Sequence, residues 1–170
     1  MKNWKDPDGN VITNDKLMEW ISRSNISNNT HELIVGVDSH LHKQTYHFIT
    51  VVCLYEKGRG GYYYYNISEC NRKTFKGAYP AKVRARMFHE TGLAIETATQ
   101  IQEATGKTPI VHIDVSPPNA KELSSMCSDE LKGYVINCGF EVVVKPWSFV
   151  ASGVANKHSK ISSVPNIFKT

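Results

Sequence analysis

Apolar positions fall into two patterns along the chain, one with a helical period and one nearly continuous. Leu17, Trp20 and Ile21 recur three and four residues apart behind Thr13, which predicts a short amphipathic helix with Thr13 at its start. Asn3 to Asn10 ahead of it is a polar lead-in that turns at Pro7-Asp8-Gly9, and Ser22 to Thr30 after it is a Ser- and Asn-rich connector. Leu33 to Val37 then opens a dense β-branched run that stops on Asp38. Tyr46 to Tyr55 and Tyr62 to Ile67 follow, separated by Gly58-Arg59-Gly60-Gly61. Three successive strands with short links predict an antiparallel meander.

From Pro80 the period changes. Pro80 suits a helix start, Ala81 to Thr105 carries Val83, Met87, Ala94, Ala98 and Ile101 on one side, and Gly106 is a natural stop. Ile110 to Val115 is a second apolar strand, and after the Pro117-Pro118 break a helix is expected from about Asn119 to Cys138. Glu141 to Lys145 predicts a last short strand and Trp147 to Lys157 a short helix. The expectation is an α/β domain over residues 31–160, with a mixed five-stranded sheet flanked by helices. An N-terminal helix and connector precede it at 1–30, and a loose tail follows at 161–170.

Composition narrows the class. With 41% hydrophobic and 21% charged residues in 170, the chain reads as one globular domain, which excludes a wholly disordered, collagen-like or coiled-coil protein. Its longest apolar stretch, Phe48 to Tyr55, is far short of the roughly 20 residues a membrane span needs, and Met1 to Asn10 is charged where a signal peptide is apolar. A soluble, cytoplasmic protein without a membrane partner is expected. Cys53, Cys70, Cys127 and Cys138 form no CxxC pair and are expected to be buried thiols.

The formal charge is +4, and its distribution says more than its sum. Residues 70–89 hold Arg72, Lys73, Lys76, Lys82, Arg84 and Arg86 without an acid, and residues 142–170 hold Lys145, Lys157, Lys160 and Lys169 without one. That bias suits a polyanion such as nucleic acid, although solvated lysines on a helix face and a frayed tail give the same pattern.

Two internal strands end in acids, Ile34-Val35-Gly36-Val37-Asp38 and Ile110-Val111-His112-Ile113-Asp114. A carboxylate beside a buried strand must be solvated, capped or neutralised. If the strands are neighbours, Asp38 and Asp114 lie side by side, and a hard cation such as Mg2+ or Mn2+ satisfies both. Capping of the following loops is the plainer alternative for each acid alone. On a wheel of about 100° per residue, Glu90 lies about 60° from Met87 on the apolar side of the long helix, whereas Glu96 lies opposite. Glu90 is therefore the helical acid able to face the sheet, and Glu96 and Glu103 are expected in solvent. His40 and His42 share a strand face with Asp38 and offer a transition-metal alternative, with a solvent-facing strand end preferred. His112 shares a strand face with Asp114 and is expected to be a core histidine bonded to backbone, the alternative being a residue that orients a ligand. Of Tyr62 to Tyr65, one pair of rings is available to stack on bases while the other packs inward, though a half-buried strand accounts for tyrosine without a ligand.

In its opening GVDS strand, the KGRGGYYYY hairpin, the HET…IE helix, the HID strand and KPWSFVASGVANKHSK, the chain resembles the ribonuclease H-like YkuK family over about Glu32 to Lys160. The resemblance implies a ribonuclease H-like fold with Asp38, Glu90 and Asp114 as ligands of one or two Mg2+ or Mn2+ ions. It further implies in-line phosphodiester hydrolysis of RNA, DNA or a hybrid, leaving a 5′-phosphate. Where the ribonuclease H pattern places a fourth acid in the late helix, this chain has no Asp or Glu after Glu141 and offers Asn156 as a ligand and His158 as a ligand or proton shuttle. Arg72, Lys73, Lys76, Lys82, Arg84, Arg86, Lys145, Lys157 and Lys160 are the expected phosphate contacts. The alternative is a non-catalytic nucleic-acid-binding or adaptor domain that keeps the fold. The small size leaves substrate choice to a possible protein partner.

Overall fold

The computed structural model describes residues 2–24, 31–118, 121 and 123–161. Parts of the expected connector, the expected helix start at Asn119, the Lys160 side chain and most of the tail lie outside the described residues. Strands β1 (Asn3–Lys5) and β2 (Val11–Thr13) flank the Pro7-Asp8-Gly9 turn, and α1 (Asn14–Arg23) follows with the Thr13 hydroxyl accepting the Lys16 N–H at its start. The meander is β3 (His31–His42), β4 (Thr45–Glu56) and β5 (Gly60–Asn71). Helix α2 (Tyr79–Thr105) ends at Gly106, whose φ of 70° is the left-handed conformation that glycine adopts without strain. After β6 (Ile110–His112) come a 3-10 turn (Leu123–Cys127), α3 (Ser128–Asn137) and β7 (Val142–Val143). A π-helical stretch (Val150–Ala155) then runs into α4 (Asn156–Ile161).

The sheet has seven strands in the order β2-β1-β5-β4-β3-β6-β7, not the expected five. The five expected strands form its contiguous part, and the segment ahead of α1 supplies the other two. Trp4 lies fully buried between Asn3 and Lys5, which face solvent, so one side chain fixes β1 where no longer pattern existed to read. Trp4, Leu17 and Ile21 enter the same core as the α2 residues Ala94, Ala98 and Ile101, and Trp20 meets Tyr64 edge-on at 5.0 Å. Lys107 Nζ donates to the Ile21, Ser22 and Ser24 carbonyls at the end of α1. The N-terminal segment is thereby packed against the central sheet and α2.

Strand β3 is the wall between two layers. Its odd positions Leu33, Val35 and Val37 join the core under α2, and Ile34 joins the smaller core with Ile49, Val51, Cys53, Val150 and Ala155. Between them Gly36 lets backbone pack on backbone: a Cβ there would stand 2.8 Å from the Ala151 nitrogen. Only a residue without a side chain seats the π-helical stretch so closely. Among the described residues no helix is long and apolar enough to cross a membrane. All four cysteines are free, with Cys53 and Cys127 buried as expected, Cys70 half-buried and Cys138 exposed at the end of α3, where the amphipathic pattern no longer requires burial.

Candidate active site

Parallel pairing of β3 with β6 matches Ile34 with Ile110, Val35 with Val111 and Gly36 with His112. Asp38 and Asp114 each stand two residues beyond the last matched pair, at the same end of adjacent strands. Helix α2 crosses this end with Glu90 on its buried side, 8% exposed, while Glu96 and Glu103 face solvent. Asp38, Glu90 and Asp114 line one open cleft of about 340 Å³, together with Arg86, Lys145 and Tyr79.

Glu90 and Asp114 are held differently in the cleft. The Ser39 hydroxyl, one residue past Asp38, donates to Glu90 Oε1 at 2.5 Å. Arg86, one turn earlier on α2, brings its Nε to 3.7 Å from the same oxygen. Burial pushes the Glu90 carboxyl from 4.5 up to about 7; Arg86 and the Ser39 hydrogen bond oppose that rise, and Asp38 and Asp114 reinforce it. Lys145 Nζ lies 3.2 Å from Asp114 Oδ1. It reaches there because its backbone N–H donates to the Val115 carbonyl, which carries the strand-like pairing beyond β7.

The donor chemistry fits a hard divalent cation: three carboxylates share one cleft, and Asp114 Oδ1 is buried with the Lys145 ion contact but without a hydrogen bond. The spacing is wider than a ligated set, since among the described residues no three His, Cys, Asp or Glu side chains stand together as a metal cage. Arg86 and Lys145 supply the positive charge of the cleft. The same holds for Asp38, His40 and His42, which share a face of β3 without forming such a group; His47, opposite His40, pairs with Glu69 at 3.0 Å.

Other expected residues lie elsewhere. His158 does not line the cleft: it is 7% exposed, stacked on Tyr65 at 3.9 Å between ring centres, with its Nε2 2.9 Å from the Tyr63 hydroxyl. Burial, then the Lys157 charge, lowers its pKa. Asn156, half-buried on α4, and Lys157, exposed there, are also outside the cleft lining. His112 is a core histidine, its Nδ1 accepting the Val150 N–H at 3.4 Å, and burial takes its pKa down to about 4. Tyr63 and Tyr65 are occupied by His158 and Tyr64 by Trp20, while Tyr62 is 80% exposed.

The basic residues divide as sharply. Arg84 is drawn to Glu130 on α3, lies over the Phe88 ring and does not line the carboxylate cleft. Lys73 and Lys76 are exposed around the turn after β5 and line neither the carboxylate cleft nor its neighbour. Arg72, Lys82 and Arg86 line that neighbouring cleft. Arg86 and Lys145 as partners of Glu90 and Asp114 went unread in the sequence; the i, i+4 spacing of Arg86 and Glu90 carried the first signal, whereas the second depends on strand pairing.

No curated protein and no solved structure matches the chain. A family model described as Ribonuclease H-like matches residues 14–160. That span holds the meander, α2 and β6, and with them Asp38, Glu90 and Asp114, so the chain belongs to the ribonuclease H-like family.

Proposed function

We propose that this chain is a divalent-metal-dependent nuclease that hydrolyses phosphodiester bonds. The observation that carries the proposal is the convergence of Asp38, Glu90 and Asp114, from two strands and a helix, on one open cleft that also holds Arg86 and Lys145. Packing alone does not require three acids there, because each costs desolvation unless something positive compensates it. Membership of the ribonuclease H-like family supports a role with nucleic acid, and the acids give that role a chemistry.

Asp38, Glu90 and Asp114 would hold Mg2+ or Mn2+, which supplies activated water and polarises the phosphoryl oxygen. The chain's own groups do the rest. Ser39 orients the Glu90 carboxylate through its hydrogen bond. Arg86 and Lys145 attract the phosphate, being already at the acids and in the cleft. A second reading, a binding domain without catalysis, draws support from one observation: Glu90 and Asp114 face cations of the chain, and the three acids are not gathered as a metal cage.

End-labelled single-stranded, duplex and hybrid oligonucleotides in Mg2+ or Mn2+ separate the two. The nuclease reading expects cleavage that EDTA stops. It also expects Asp38→Asn and Asp114→Asn, folded by circular dichroism, to lose more than the roughly 10–100-fold typical of residues that only orient a ligand. Salt-dependent binding without cleavage by the wild type overturns it in favour of the binding domain.

A further inference from the structure

Beside the carboxylate cleft lies a second one of about 320 Å³, and Tyr79, Val83 and Arg86 line both, so the two form one continuous surface. The second cleft adds Arg72, Lys82 and Tyr46, which makes three cations and no acid along its wall. Arg86 sits where they join, near the Tyr46 ring at 5.9 Å and near Glu90 at 3.7 Å. The N-terminus of α2 opens here too. Its first turn has no acid, and Ala78 at its start offers no side-chain cap, so its leading amides add to the positive field.

The aromatic residue at the junction is the telling one. Tyr79 is 70% exposed and makes no ring contact among the described residues, unlike Tyr46, which meets Phe75 edge-on at 5.4 Å. Packing therefore gives no account of its ring. An exposed ring flanked by phosphate-binding cations suits a strand whose bases have free faces, because aromatic stacking is worth most when the base is not already in a duplex stack. A paired base keeps both faces within its own helix.

We propose that this second cleft is the approach path of a single-stranded nucleic acid. A base stacks on Tyr79 and the phosphates lie on Arg72, Lys82 and Arg86 as the strand runs toward Asp38, Glu90 and Asp114. The proposal rests on the nucleic-acid reading of the carboxylate cleft and adds its substrate class. RNA and DNA strands share the chemistry that the cleft recognises.

The test is binding, measured in EDTA so that cleavage plays no part. Fluorescence anisotropy with labelled oligo-dT and oligo-U, against a duplex of equal length, should give tighter binding of at least one single strand by about tenfold. Tyr79→Ala should weaken that binding by about tenfold, within the range seen when a stacking ring is removed, and Tyr79→Phe should restore it. Arg72→Ala and Lys82→Ala should each lower the slope of log affinity against log salt by about one. Equal or tighter binding of the duplex, or single-strand binding indifferent to Tyr79→Ala, overturns the proposal. Circular dichroism spectra and melting curves that match the wild type exclude misfolding of these surface variants as the cause. If the Tyr79 dependence holds while no substrate is cut, the path stands and the nuclease reading falls; if substrates are cut with Tyr79→Ala unimpaired in binding, the reverse follows.

Discussion

The two faces of the central sheet bury ionisable groups of opposite kinds and do so for opposite ends. Under α2, Glu90 is buried at the floor of an open cleft, with Arg86 and two further acids beside it. On the other face His112 and His158 are buried among aromatic rings, one accepting a backbone N–H and the other paired with a phenol. Burial shifts all three away from the charged form, so a perturbed pKa by itself does not distinguish them. What does is access: the acid meets solvent-filled space and competing charges, and the histidines meet completed packing. The lesson is that a titratable group marks a site when the structure leaves room for a ligand beside it.

The comparison can be broken most forcefully at Gly36, which faces the histidine side. Gly36→Ala sets a methyl group 2.8 Å from the Ala151 backbone nitrogen, and neither backbone can step aside cheaply. A loss of about 3 kcal/mol is expected in urea unfolding. An unchanged midpoint would mean that the π-helical stretch is not seated as tightly as the packing implies.

On the acid side, the Glu90 carboxyl is raised from 4.5 to about 7, so the folded chain retains a proton that the unfolded chain releases between those values. Its stabilising contribution is complete below pH 4.5 and is lost as the pH rises through 7. Metal-free Glu90→Gln should therefore be more stable than wild type by about 3 kcal/mol at pH 8 and equal to it at pH 4. A constant difference between the two pH values would show that the burial of Glu90 is not what costs stability.

The smallest effect sharpens the contrast. His158→Phe keeps a ring against Tyr65 and removes the partner of the Tyr63 hydroxyl, so stability should fall by about 1 kcal/mol. Cleavage, where the wild type cuts, should stay within about twofold. A folded variant that loses cleavage outright would bring the histidine face into the chemistry.

Much of this architecture was legible. The meander, α2 and its stop at Gly106 follow from long runs with clear periods, and the wheel of α2 separated Glu90 from Glu96 and Glu103 because 27 residues define a face well. The extra strands β1 and β2 escaped, since three residues around a single Trp carry no period. The partners of the acids escaped in part for another reason: Lys145 meets Asp114 only through sheet pairing, a long-range fact. Tyr79 escaped because an aromatic residue before Pro80 reads as a helix start, and its exposure is visible only once α2 is in place. His158 stood out as a candidate through its chemistry, and the Tyr63 and Tyr65 rings that enclose it lie some ninety residues earlier in the chain.

The burial of Trp4, Leu17 and Ile21 in the core under α2 makes the N-terminal hairpin and helix a plug for the rest of the sheet. A chain shortened to begin at Glu32 would carry the matching hollow open to water, a sticky surface inviting self-association. The missing segment, supplied as a separate peptide, is shaped to fill it. The fold thus contains a ready-made division into two complementary fragments, with all three acids of the cleft on the larger one.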